Sequence, residues 1–126
     1  AYSVYSYFSP LREAGTFAMG MQTKTEQTEQ ALELLDQQLR KYVEQGPEKD
    51  ELAASMSNIT GGFPLKIDSN SKLLGYIAMI GFYDLPIDYL DNFLDNVRAV
   101  DVNMINDALK RRIHPDRMVT VIVGKQ

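Results

Sequence analysis

A chain of 126 residues, 44% apolar and 24% charged, is long enough for one folded domain with its own core, and its composition excludes a disordered segment. A net charge of −4 with dispersed basic residues leaves little positive surface for phosphates, so no nucleic-acid partner is expected. Cysteine is absent, which removes disulfides, thiolate metal sites and thiol nucleophiles, and no apolar run reaches the ~18 residues that a membrane span needs.

The opening AYSVYSYF (1–8) is rich in strand formers. SPLREAG (9–15) supplies Pro10 and Gly15 as turn residues, and TFAMGMQT (16–23) alternates, with Phe17, Met19 and Met21 on one face. These features predict an antiparallel hairpin with a loop of about six residues. From residue 25 the period becomes helical: Leu32, Leu35, Leu39 and Val43 share a face, and Gly46–Pro47 ends that helix and starts the next. EKDELAASMSNI (48–59) is acidic in its first turn, as a helix start prefers, and TGGFP (60–64) is expected to break it. Asp68 or Ser69 caps a third helix, 71–83, apolar nearly all round and so expected to be buried. Pro86 marks the start of a fourth helix, with Tyr89, Leu90, Phe93, Leu94 and Val97 on one face. Asp101 caps a fifth helix, carrying Val102, Ile105, Leu109 and Ile113. The β-branched run RMVTVIVG (117–124) has little polar alternation and predicts a third strand covered on both faces. Strands, then helices, then a strand give an α+β fold, a small antiparallel or mixed sheet covered by several helices. The expected organisation is a single domain over 1–126, truncated at its N-terminus.

Few residues carry an obvious chemistry. His114, the only histidine, has no second His or Cys to complete a zinc site and reads as a helix-end residue beside free carbonyls. Asp84, Asp88, Asp91 and Asp95 recur at steps of three or four and read as a solvated helix stripe, since calcium-loop spacing is missing. Gly61–Gly62 lacks the lysine and hydroxyl of a phosphate loop, and the six methionines sit at core-like positions. The basic cluster Lys110–Arg111–Arg112 falls at a helix C-terminus, where cations offset the helix dipole. Tyr2, Tyr5 and Tyr7 fit strand packing on propensity alone.

Three stretches taken together carry a further signal: AYSVYSYFSP at the start, GGFPLKIDSNSKLLGYIAMIGFYDLPIDYLDNF at 61–93, and PDRMVTVIVG at 115–124. They resemble the C-terminal half of insulinase/pitrilysin-type zinc peptidases, the inverzincins, in their bacterial processing-peptidase-like branch. The resemblance implies the metallohydrolase-like half of the insulinase and mitochondrial-processing-peptidase fold. In that family one half carries the His-x-x-Glu-His zinc motif, and the homologous other half contributes an Arg and a Tyr that hold the peptide. Tyr2 of AYS falls on the family's Tyr, and the resemblance places the Arg ahead of residue 1.

The implied role of Tyr2 is substrate binding: its hydroxyl would donate a hydrogen bond to the scissile carbonyl as charge develops there. Tyr5 and Tyr7 lie on the opposite strand face and match no functional position of the family. The expected cofactor is none in these residues, with zinc in the other half of the parent enzyme. The expected partners are that homologous zinc-bearing half, in the same chain or a partner subunit, a peptide substrate, and a second copy through a sheet edge. The chain thus reads as the substrate-holding part of a zinc endopeptidase, inactive alone. The alternative is a non-catalytic structural or partner subunit of the same family. The implied location is the bacterial periplasm, with the cytoplasm as the alternative.

Overall fold

The computed structural model describes residues 3–124. Their architecture is α+β. A two-stranded antiparallel sheet, β1 (Ser3–Ser9) and β2 (Thr16–Gln22), precedes five helices: α1 (Thr28–Gln45), α2 (Lys49–Lys66), α3 (Asn70–Phe82), α4 (Tyr89–Arg98) and α5 (Val102–Arg112). Single 3-10 turns occupy Thr25–Gln27 and Pro115–Arg117. The chain divides into two compact units, Ala1–Gly46 with Asn106–Gln126, and Pro47–Ile105.

In the first unit the hairpin forms as its alternation predicts, with a loop at 10–15. Pairing of Phe8 with Phe17, and of Val4 with Met21, puts the alternating apolar side chains on one face, where the two phenyl rings stand 5.0 Å apart. Tyr5 and Tyr7 share the other face and stack at 6.1 Å. Helix α1 follows its leucine spacing and buries Leu39, while Ile113, just past α5, is this unit's second buried apolar side chain. Gly46 ends α1 with φ 73° and ψ −171°, its N–H donating to the Tyr42 carbonyl at 2.8 Å. A Cβ there would overlap the Asn106 amide, so the backbone conformation and the close approach both demand glycine.

The expected third strand is not present among the described residues. The run at 118–123 has no ladder partner, and Val119, Val121 and Val123 are 87%, 79% and 93% exposed. β-branched composition makes a segment competent to pair, but a strand exists only when another backbone takes up its N–H and C=O groups.

The second unit departs from expectation at two helices. Helix α2 opens where expected: Glu48 precedes its first turn, and the Glu51 carboxylate accepts the Glu48 N–H at 2.9 Å, half of a capping box. It then runs straight through Thr60–Gly61–Gly62–Phe63–Pro64 instead of breaking. Phe63 outweighs the weak helix propensity of its neighbours. It is buried, stacked on Phe93 of α4 at 4.5 Å and edge-on to Tyr76 of α3 at 6.5 Å. Pro64 lies in the last turn, so only one helical N–H is lost before the end.

Ser69 caps α3, accepting the Lys72 N–H at 3.3 Å, while the Lys72 ammonium reaches the Leu65 carbonyl at 2.8 Å and Asp68 at 2.7 Å. Helix α3 is apolar nearly all round yet buries no residue fully; Leu74, Ile77 and Phe82 are exposed. Periodicity reports how much apolar surface a helix offers, not whether a neighbour covers it. The helix closes in a Schellman motif: Leu85 N–H reaches the Ile80 carbonyl at 2.9 Å, with Asp84 at φ 52° in the position glycine usually fills. Helix α4 begins at Tyr89, three residues after Pro86, and Asp101 caps α5 by accepting the Met104 N–H at 2.8 Å.

Candidate functional site

In the first unit an open cleft of about 580 Å³ lies between β2, α1 and residues 118–123. Its floor is the apolar stripe of α1, Leu32, Leu35 and Leu39, one turn apart as the sequence spacing dictates. One wall is β2 from Met19 to Gln22, and the other is the extended run 118–123. Consecutive residues line both walls. The β2 wall is the open edge of the sheet, since among the described residues β2 pairs only with β1.

Tyr5 also reaches this cleft, from β1. Its ladder partner is Gly20, and a Cβ at Gly20 would overlap the phenol ring, so the ring lies across β2 over the missing side chain. Propensity assigns Tyr5 to packing. The signal for its placement is Gly20 itself, a glycine inside an alternating strand, which marks close approach of another group.

Among the described residues, Asp36 is the one charged side chain lining the cleft. It does not face it unpaired: Arg40 Nε donates to Asp36 at 2.7 Å, and Arg40 Nη1 donates to Asp116 at 2.8 Å. These bonds, Asp36 first, hold the Arg40 guanidinium still more firmly in its charged form. Arg40 thereby ties α1 to the turn Pro115–Arg117, from which the second wall departs. At the end of β2, the Thr23 hydroxyl is buried, lines the cleft and has no hydrogen-bond partner.

Tyr2, the expected substrate-binding residue, lies outside the described residues. His114 is exposed; its carbonyl accepts the Arg117 N–H at 2.9 Å, and its ring makes none of the expected contacts with helix carbonyls among the described residues. Asp84, Asp88, Asp91 and Asp95 are exposed but do not form the expected helix stripe: Asp84 lies in the turn after α3 and Asp88 precedes α4, so only Asp91 and Asp95 sit on that helix. Asp88 accepts the Asn92 amide at 2.7 Å and Asp95 pairs with Arg98 at 3.2 Å. Lys110, Arg111 and Arg112 occupy the last turn of α5, where Arg111 pairs with Asp107 at 2.7 Å. Among the described residues no group of three or more His, Cys, Asp or Glu side chains could hold a metal ion, and with one isolated histidine the donor set does not fit a catalytic zinc. No described helix is long and apolar enough to cross a membrane.

A hairpin entering a leucine-striped helix, a helical run and a closing β-branched segment make up an α+β domain. Residues 1–59 match the family model of the peptidase M16 inactive domain. Over 92% of its length the chain superposes on a crystal structure of a peptidase M16 inactive domain from Pseudomonas fluorescens, with a TM-score of 0.85 and 29% identity. It is 26% identical, over its whole length, to a Helicobacter pylori protein named a non-peptidase homolog, YmxG. In its first 59 residues and in its fold the chain is similar to the peptidase M16 inactive domain. It spans 27% of the solved chain and 29% of the Helicobacter protein.

Proposed function

We propose that this chain is a non-catalytic M16 half, a structural domain that packs with a homologous half and supplies no metal chemistry of its own. Similarity of the whole of this chain to 29% of a protein named a non-peptidase homolog carries this reading. The chemistry of the chain is consistent with it: a single exposed histidine, no cysteine, and carboxylates that are exposed or paired with basic side chains. The work left to such a domain is mechanical, holding a partner half in place through apolar and backbone-edge surfaces. We place it in the bacterial periplasm, with the cytoplasm as the alternative, on the family resemblance alone.

The second reading is a substrate-holding half of a zinc endopeptidase, with zinc in the homologous half and Tyr2 donating to the scissile carbonyl. The AYS context of Tyr2 favours it. The two readings separate in the full-length polypeptide that carries these residues, assayed on a quenched-fluorescence unfolded peptide. As a non-catalytic half it gives no turnover, and Tyr2→Phe changes nothing. Chelator-sensitive turnover that falls by about 10²–10³ in Tyr2→Phe, the cost of one lost transition-state donor, would overturn the first reading in favour of the second.

A further inference from the structure

We infer that α2 is two segments on one hinge: the turn at 60–62 is a joint about which residues 49–59 move, while residues 63–66 stay fixed to α3 and α4. Three weaknesses fall in that single turn. Gly61 and Gly62 both give up helix stability relative to alanine. A helix tolerates glycine for a reason where φ is positive or a neighbour leaves no room for a Cβ. Neither holds here, since neither residue has a positive φ and nothing lies within 4 Å of an added Cβ at either. Pro64 carries no N–H, so the Thr60 carbonyl lacks its usual donor four residues on. The Thr60 hydroxyl donates back to the Met56 carbonyl at 2.9 Å, a contact that bends helices.

The two sides of the joint are held unequally. Beyond it, Phe63 is buried, stacked on Phe93 of α4 and edge-on to Tyr76 of α3. The Lys72 ammonium also ties the Leu65 carbonyl to the start of α3 at 2.8 Å. Ahead of the joint no side chain of 49–59 is buried, and Leu52 and Met56 are only half-buried. A helix anchored at one end, weak in one turn and loosely covered beyond it bends at the weak turn.

Few bonds stand in the way. The amides of 61–63 donate across the joint to the carbonyls of 57–59, whereas those of 53–59 donate within their own segment. Opening at 60–62 therefore leaves the first segment helical and the Phe63–Phe93 stack intact. What it changes is the cover over Leu52 and Met56, so the hinge shows or hides an apolar face at the cost of one helical turn.

The test is amide hydrogen exchange of the 126-residue chain under native conditions. The amides of 61–63 should exchange faster than those of 53–59, through an opening that low urea does not promote. Gly61→Ala with Gly62→Ala should slow exchange at 61–63 by about 10–30-fold, the combined helix preference of two alanines over two glycines. Gly75→Ala in α3, where an added Cβ also meets nothing, should leave those amides unchanged. A second measurement reads the motion itself. The chain has no cysteine, so nitroxide pairs are placed through Ser55→Cys with Asp91→Cys, and through Leu65→Cys with Asp91→Cys, all at exposed positions. The first pair spans the joint and should give the broader distance distribution, which the two alanines should narrow; the second pair lies beyond it and should stay narrow. Equal widths for the two pairs, a first-pair width that the alanines leave unaltered, or slowing of exchange spread evenly along α2 would each overturn the inference.

Discussion

Replacing Gly46 with alanine tests the packing of the first unit at its most constrained point. Gly46 holds φ 73° and ψ −171°, a region that other residues enter only at a cost of ~1–3 kcal/mol. The added methyl group also overlaps the Asn106 amide, and displacing a packed side chain adds ~1–3 kcal/mol. Gly46→Ala should therefore lose about 2–6 kcal/mol, a large share of the 5–15 kcal/mol typical of a folded domain. Urea unfolding followed at 222 nm by circular dichroism measures this directly. Asn106→Ala removes the overlap and leaves the backbone term. In that background the alanine at 46 should cost only ~1–3 kcal/mol, so the cycle should show a coupling of similar size. A Gly46→Ala protein within about 0.3 kcal/mol of the parent, or strictly additive variants, would refute the argument.

Phe63→Ala removes the ring stacked on Phe93 and should cost about 3–5 kcal/mol in the same unfolding assay, with loss of near-ultraviolet aromatic signal. Gly61→Ala and Gly62→Ala should do the opposite: both sit inside α2, nothing lies within 4 Å of an added Cβ, and each should gain about 0.5–1 kcal/mol. Glu51→Ala deletes the carboxylate that holds the Glu48 N–H and should cost about 1 kcal/mol, with faster hydrogen exchange at the start of α2. Arg40→Met breaks the bridge between Asp36 and Asp116. Exchange at the Arg117 and Met118 amides should quicken, and added salt should weaken the same bridge in the parent, since it is exposed.

Local signals in the sequence located most elements. The hairpin and its six-residue loop follow from alternation and turn residues, the start of α2 from Gly46–Pro47 and an acidic first turn, and the starts at Ser69 and Asp101 from capping chemistry. Gly46 shows as a stop because its conformation is local. Failures arise where a distant contact decides. TGGFP reads as a break by propensity, but Phe63 finds Phe93, some thirty residues away in sequence, and the helix holds. The apolar girth of α3 and the β-branched run at 118–123 both read as buried, because composition records what a segment is able to cover and not what meets it. The cleft was legible only in fragments: the leucine spacing of α1 gives its floor, and Gly20 hints at the crossing of Tyr5, but pairing register joins them.

The most direct measurement of the central claim is the metal content of the polypeptide carrying these residues, purified without chelator and dialysed against micromolar zinc. A non-catalytic M16 half should retain no zinc above the dialysis blank. One tightly held zinc ion per chain, removed only by chelator, would contradict the account and restore a cutting centre to the molecule.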